Sequence, residues 1–346
     1  MGFKITKIMD TNIVKERAQR VTLKDLAKAT GLAVPTISRI INKKSTYCSH
    51  ETRSQVLQLA KKLNYQPNVG YRIMTGMETN IAGIIFSQER ITRDEHVLML
   101  LTSLNLGLEQ RDYAVYSTLL TQDAERNLGK IRELEAKGCR SFVFVGAPIG
   151  YDRIADYIYE SGHQYIGINY HELKKVVWLN EAGAIMSYLR YFKETGSNDF
   201  KIVVPPLYLE ERLRPAMTDF EEDYCKGKWH WIELDEFPVQ DYFDLCFALG
   251  YQVAADEYRK NPKIQGLIYI SDYHALGAAR FFSEQGLRVG EDVKLCGMFN
   301  TSARRFSNMP IISSEFKMRD VGALMLDNLS ATAPVLINIE PEIIIK

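Results

Sequence analysis

The side chains best equipped for chemistry lie early in the chain. Thr22, Thr36, Ser38 and Asn42 form a group of short hydrogen-bond donors around Arg39, and Ser49, Thr52, Tyr65 and Asn68 extend the set. Hydroxyls, amides and a guanidinium, without paired carboxylates among them, suit phosphate oxygens and base edges rather than bond-making. Patterns that carry catalysis are missing: the chain contains no HExxH, no GxSxG and no GxxxxGK[ST]. The acidic runs Glu210-Glu211 and Glu221-Glu222-Asp223 fall on helical stretches and read as solvated faces. His50, His96, His163, His171, His230 and His274 show no ligand spacing, so neither a catalytic centre nor a metal or cofactor is expected.

The elements that must position those donors are legible. Leu23, Leu26 and Ala27 recur at helical spacing behind Thr22, a suitable N-cap, and Gly31 stands where a turn needs positive φ. The helical period resumes from Ala33 to Asn42, with Ile37, Ile40 and Ile41 apolar and Thr36, Ser38 and Arg39 polar. Two short helices across a tight turn place the second one in the major groove of DNA. A third helix is expected over Glu51–Leu63, capped by Ser49, with Val56, Leu57 and Ala60 facing the first two.

The run from Val21 to Asn68 resembles the DNA-binding headpiece of the lactose-repressor/galactose-repressor (LacI/GalR) family. The matching words are Thr36-Ile37-Ser38-Arg39, Asn42, Ser49, Thr52-Arg53 and Leu63-Asn64-Tyr65-Gln66-Pro67-Asn68. The resemblance implies that Thr22, Thr36, Ser38, Asn42, Ser49, Thr52, Tyr65 and Asn68 position the module on phosphate. It places the two base-reading positions on Val34 and Pro35, which offer only apolar contact, and leaves polar readout to Arg39. It further implies a hinge helix over Asn68–Gly76 that enters the minor groove, with Met74 as the apolar wedge and Arg72 facing the groove. Tyr71, where the family prefers Ala, and Gly70, which lowers helix propensity, depart from that pattern. Residues 1–20 form an extension ahead of the headpiece.

From Ile81 short apolar runs alternate with helical periods in two successive sets, Ile81 to Lys193 and Lys201 to Met298. Such alternation predicts parallel sheets covered by helices, with a ligand cleft at the carboxyl ends of the strands. One helix is expected over Leu209–Tyr224. Ser87, Asn169 and Tyr170 end strands and are expected to line the cleft; Trp178 is expected in the core. The words Gly138–Phe144, Ser271-Asp272 with Ala275–Ala278, and Gln285–Val293 resemble the periplasmic-binding-protein-like effector domain of the same family. That resemblance implies a sugar-binding Asp at Asp272, a second polar position near Asn300, and an Arg reaching the cleft from Arg212 or Arg214.

The formal net charge is zero, yet residues 1–80 hold 14 Lys and Arg against 5 Asp and Glu, a net +9, and the remainder carries −9. A basic end on an acidic body suits a partner made of phosphate. Five scattered cysteines, Cys48, Cys139, Cys225, Cys246 and Cys296, form neither a zinc pattern nor a disulfide framework. No apolar run is long enough for a membrane span, and Lys4 and Lys7 precede no apolar signal region, so a cytoplasmic protein is expected.

The sequence therefore predicts an all-α helix-turn-helix headpiece (21–67), a hinge (68–80), and an α/β effector-binding and dimerisation domain (81–346) of two doubly wound parallel-sheet subdomains. The expected function is transcription regulation, as a repressor. The expected partners are a double-stranded DNA operator, a small-molecule effector of the sugar class and a second copy of the chain. The alternative is a sugar sensor or binding protein whose headpiece no longer binds operators.

Overall fold

The computed structural model describes residues 21–41, 48–66, 69–74, 79–87, 94–121, 123–146, 151–170, 172–231 and 242–345. The chain divides into two compact units, Met1–Met77 and Glu78–Lys346.

The first unit holds α1 (Leu23–Thr30), α2 (Val34–Ile41), α3 (His50–Lys62) and α4 (Val69–Met74). Thr22 and Asp25 cap α1 reciprocally: the Thr22 hydroxyl accepts from the Asp25 N–H, while the Asp25 carboxylate accepts from the Thr22 N–H. Gly31 ends that helix at φ +71°, a conformation that a Cβ would strain. Leu26, Ile37, Ile40, Val56 and Ala60 are buried together and fix the three helices against one another. The second and third helices start and end within two residues of the expected bounds. The expected hinge helix is α4, although Asn68 and Gly76 lie outside the described residues.

The second unit is two-lobed. Its first lobe contains β1 (Ile81–Phe86), α5 (Glu95–Gln110), β2 (Ala114–Leu119), α6 (Ala124–Ala136), β3 (Ser141–Val145), α7 (Tyr151–Ser161), β4 (Gln164–Ile168) and β5 (Lys175–Leu179). The chain then crosses to the second lobe. That lobe contains α8 (Glu181–Glu194), β6 (Phe200–Val204), α9 (Pro206–Tyr208), α10 (Asp219–Tyr224), β7 (Trp229–Trp231), α11 (Tyr242–Lys260), β8 (Gly266–Tyr269), α12 (Asp272–Glu284), β9 (Lys294–Cys296), α13 (Ser302–Phe306) and β10 (Ser313–Glu315). It returns to the first lobe for α14 (Met318–Asn328) and β11 (Val335–Ile339), and crosses once more to β12 (Glu342–Ile344), which pairs antiparallel with β10.

The larger sheet runs β11-β5-β4-β3-β1-β2 and the smaller β7-β6-β8-β9, with every pairing parallel. Strands covered on both faces read as unbroken apolar runs, and Ile81–Phe86 is buried at all six positions. Strand order reverses between β1 and β3 and between β6 and β8. Those two switch points open a crevice at the carboxyl ends of both sheets. The crossings between lobes are tied together: Asn180 donates its side-chain N–H to both oxygens of Glu340, and its backbone N–H to Ile339.

Two expectations need correction. The single helix expected over Leu209–Tyr224 is broken into a π-type turn at Leu209–Leu213, a 3-10 turn at Arg214–Ala216, an extended Met217 and then α10. Pro215 lacks the N–H a continuous helix requires, so the apolar period persists across a backbone that cannot. The strands β11 and β12 were not anticipated. β11 is an edge strand with alternating exposure, and Leu336 on it is 70% exposed.

Candidate nucleic-acid interface and ligand crevice

The headpiece presents one polar face. On α2, Ile37 and Ile40 turn into the core, which leaves Val34, Pro35 and Arg39 exposed and Thr36 and Ser38 half-exposed. Thr22 and Ser49 lie exposed at the starts of α1 and α3. The Ser49 hydroxyl accepts from the Thr52 N–H at 3.1 Å and lies 2.8 Å from the Thr52 hydroxyl. Tyr65 packs half-buried against the helical core. The first turn of α2 is poor in free donors. The Thr36 N–H bonds to the Ala33 carbonyl at 2.9 Å, and Pro35 has no N–H. Arg72 lies half-buried on α4. Asn42 and Asn68 lie outside the described residues, as does the side chain of Met74.

The crevice residues divide sharply. Asp272 opens α12 at the end of β8 and is fully buried. Its Oδ1 accepts from the Ser313 hydroxyl and its Oδ2 from the Thr301 N–H, each at 2.7 Å. Burial raises its pKa to about 6 against the opposing pull of those hydrogen bonds. Asn300 is equally committed. Its Nδ2 donates to Glu315, its Oδ1 accepts from the buried Arg304, and its N–H donates to Ser313. Both side chains stitch the 297–301 segment to β10. Tyr170 is a correction: it lies wholly in the core of the first lobe, edge-on to Phe144, rather than along the crevice.

Ser87 is buried at the end of β1, its N–H bonded to Val145. Asn169, at φ +51°, accepts the Leu179 N–H at 2.9 Å and faces Glu181, whose other oxygen accepts from the Tyr208 hydroxyl at 3.1 Å. Asn169, Glu181 and Tyr208 thus form a polar chain from one lobe to the other. Arg214 points into solvent, held two-pronged by Glu210 and once by Glu222. The side chain of Arg212 lies outside the described residues. Trp178 is half-buried on β5.

Sequence reasoning missed four crevice residues. Glu95 and His96 open α5, two residues earlier than the apolar period suggested, and Phe299 and Arg305 follow β9. The Glu95 carboxylate accepts the Ser302 N–H at 2.7 Å and the Arg305 guanidinium at 3.1 Å. The His96 ring lies flat on Phe299, centroids 3.9 Å apart and 5° from parallel. Burial lowers the His96 pKa to about 4, so the ring is neutral. The only available hint was a polar pair ahead of the first apolar residue of a helix.

Among the described residues no cluster of His, Cys, Asp or Glu could hold a metal, and no helix is long and apolar enough to cross a membrane. Cys48 is half-exposed and the other four cysteines are buried.

Comparison with known proteins agrees with this geometry. Residues 22–68 match the model of bacterial regulatory proteins of the lacI family, and residues 189–334 match a periplasmic binding protein-like domain. An uncharacterized HTH-type transcriptional regulator, YvdE of Bacillus subtilis, is 24% identical over 94% of this chain and 98% of its own length. Among solved structures, the Lac repressor dimer bound to operator and an anti-inducer superposes with TM-score 0.70 at 20% identity, covering 95% of this chain and 98% of that one. The CelR–cellobiose complex superposes with TM-score 0.60 at 19% identity, over 94% and 99%.

Proposed function

We propose that this chain, which belongs to the lacI family of bacterial regulatory proteins and is a DNA-binding transcriptional regulator, acts as a cytoplasmic dimeric repressor whose hold on its operator is set by a small molecule of the sugar class. The observation that carries the DNA half of this reading is the exposed face of α2, with Val34, Pro35 and Arg39 turned away from a closed helical core. In a major groove that face sets apolar groups and one guanidinium against base edges, with Thr22, Thr36, Ser38, Asn42, Ser49, Thr52, Tyr65 and Asn68 towards phosphate. Arg72 and Met74 on α4 would enter the minor groove.

The two-lobed crevice supports the effector half, and cellobiose in the CelR complex makes a sugar the first class to test. Of the sequence-derived candidates this reading favours Asn169, supported by its hydrogen bonds to Glu181 and Leu179, with Arg212 beside it. A second copy of the chain would cover the outer face of α5, where Leu98, Met99 and Leu106 are each more than two-fifths exposed, and the adjoining edge strand β2, where Tyr116 is 43% exposed. We infer no enzymatic activity.

The test is a footprint of the full chain on the DNA upstream of its own gene, titrated with salt. Phosphate contacts make affinity fall steeply as salt rises. Arg39→Ala should abolish the specific footprint and leave the circular dichroism spectrum unchanged. An Arg39→Ala chain with full operator affinity would refute the assignment of α2 as the reading helix.

A further inference from the structure

The contact between Glu95 and the segment Phe299–Arg305 joins the two lobes directly. Glu95 and His96 belong to the first lobe, at the start of the helix that follows β1. Phe299, Ser302 and Arg305 belong to the second, following β9. Both segments leave carboxyl ends of strands, so they meet inside the crevice. Phe299 sits at φ +80° and Asn300 at φ +44°. A bulky aromatic in the left-handed region is costly and persists only where its surroundings hold it. Here the holding is visible. The Asn300 N–H bonds to Ser313, the Thr301 N–H bonds to Asp272, and Arg305 donates to the Asn300 carbonyl as well as to Glu95. The strained turn aims the Phe299 ring at His96 and packs it against the cores of both lobes.

We propose that these residues form a latch that holds the crevice shut when no ligand is present. This deepens the effector reading above and rests on it for the identity of the crevice. Separating the lobes breaks a two-partner carboxylate contact and a parallel ring stack at once. Glu95 is held below the ordinary carboxylate range: burial raises its pKa, but the hydrogen bonds from Ser302 and Arg305 outweigh it, so the latch is charged at neutral pH. His96 and Tyr273 also interact with this carboxylate, and burial keeps the His96 ring neutral, so Arg305 supplies the positive charge of the latch. A ligand that occupies the crevice competes with the latch, and its apparent affinity falls by the fraction of time the latch is closed.

The test is hydrogen exchange of the full chain, without DNA or sugar, followed by mass spectrometry of peptides covering residues 95–100 and 299–306. Glu95→Gln keeps the shape and removes the charge. It should speed exchange in the 299–306 peptide by about tenfold, the effect of losing a charged hydrogen bond. Glu133→Gln, which breaks an exposed ion pair with Lys137 inside the first lobe, should leave that peptide unchanged. Arg305→Met, which removes the guanidinium from the other side, should also speed exchange in that peptide, and adding it to Glu95→Gln should cost less than the two single effects summed, because both variants break the same contact. Unchanged exchange in Glu95→Gln, or fully additive effects in the double variant, overturns the latch. The measurement uses no DNA, so a failed footprint refutes the operator reading without touching this result, and the reverse holds too.

Discussion

Replacing His274 by Met should make the protein less sensitive to acid. His274 is the third residue of α12, 1% exposed, at a crossing with α11 so close that a Cβ on Gly250 would stand 1.9 Å from the His274 carbonyl oxygen. Neither ring nitrogen has a hydrogen-bond partner among the described residues. Burial lowers the pKa to about 4 from an ordinary 6.5. A base depressed on folding contributes stability that is complete above about pH 6.5 and is lost as pH falls towards 4. The arithmetic gives a loss of roughly 0.8 kcal/mol at pH 6.0 and roughly 2.5 kcal/mol at pH 4.5, relative to pH 7.5. At pH 7.5 two smaller effects oppose each other. Removing unpaired buried nitrogens contributes about 1–3 kcal/mol, and losing the parallel contact with Tyr269 costs about 1 kcal/mol. The variant should therefore match or exceed the natural chain at pH 7.5 and draw ahead by about 2.5 kcal/mol more at pH 4.5. Other acid-labile groups, His96 included, titrate in both proteins and cancel in the difference. Urea unfolding followed by circular dichroism, at one protomer concentration and three pH values, measures it. A stability gap that stays constant within about 0.5 kcal/mol from pH 7.5 to 4.5 would show that His274 takes up no proton on unfolding, and the reasoning would fail.

Three further outcomes are expected. Because the first turn of α2 offers bases only the side chains of Val34 and Pro35, thymine methyls should carry part of the readout. Replacing dT by dU across the footprinted site should weaken binding by about fourfold per lost methyl contact, measured by gel shift, and Val34→Ala should blunt that sensitivity. Met74→Ala should weaken specific binding more than non-specific binding; equal loss on both DNAs, in the same assay, rules out a wedge. Asp272→Asn should lower stability by about 1 kcal/mol in urea titration: its amide oxygen can still accept the Thr301 N–H and its amide N–H can donate to the Ser313 oxygen, but both hydrogen bonds lose the charge that strengthens them. A fully stable Asp272→Asn chain that has lost its sugar response would instead restore Asp272 as the ligand acceptor.

The headpiece was readable because its determinants are local. The Thr22 cap, Gly31, the Ile37–Ile40 period and Ser49 each act within four residues of the backbone they control. The sheets were readable for a related reason: strands buried on both faces announce themselves as apolar runs, as Ile81–Phe86 does. Elements without such a signature were lost. β11 is an edge strand with one face in solvent, and the broken segment around Pro215 keeps an apolar period while its backbone departs from the helix. The crevice was the least legible part. A polar residue after a strand can meet a ligand, cap the next helix or join two distant loops, and its neighbours in sequence look the same in each case. Asn300 and Tyr170 were placed by that rule. Packing against Arg304 and Glu315 in one case, and Phe144 in the other, decided otherwise.

Asp272 and Glu95 make the distinction concrete. Each is a carboxylate at the start of a helix that follows a parallel strand, and each accepts a backbone N–H from the same short stretch, Thr301 in one case and Ser302 in the other. Their partners differ in one respect. Ser313 and Thr301 lie in the same lobe as Asp272, so opening the crevice leaves its hydrogen bonds intact. Ser302 and Arg305 lie across the crevice from Glu95, so opening removes both. A contact made equally in two states cannot shift the balance between them, whereas one made in a single state must. Substituting Asp272 should therefore change how firmly the second lobe is folded and leave the open-to-closed ratio where it was. Substituting Glu95 should do the opposite, and any change it brings to operator affinity measures how strongly crevice closure is coupled to the headpiece.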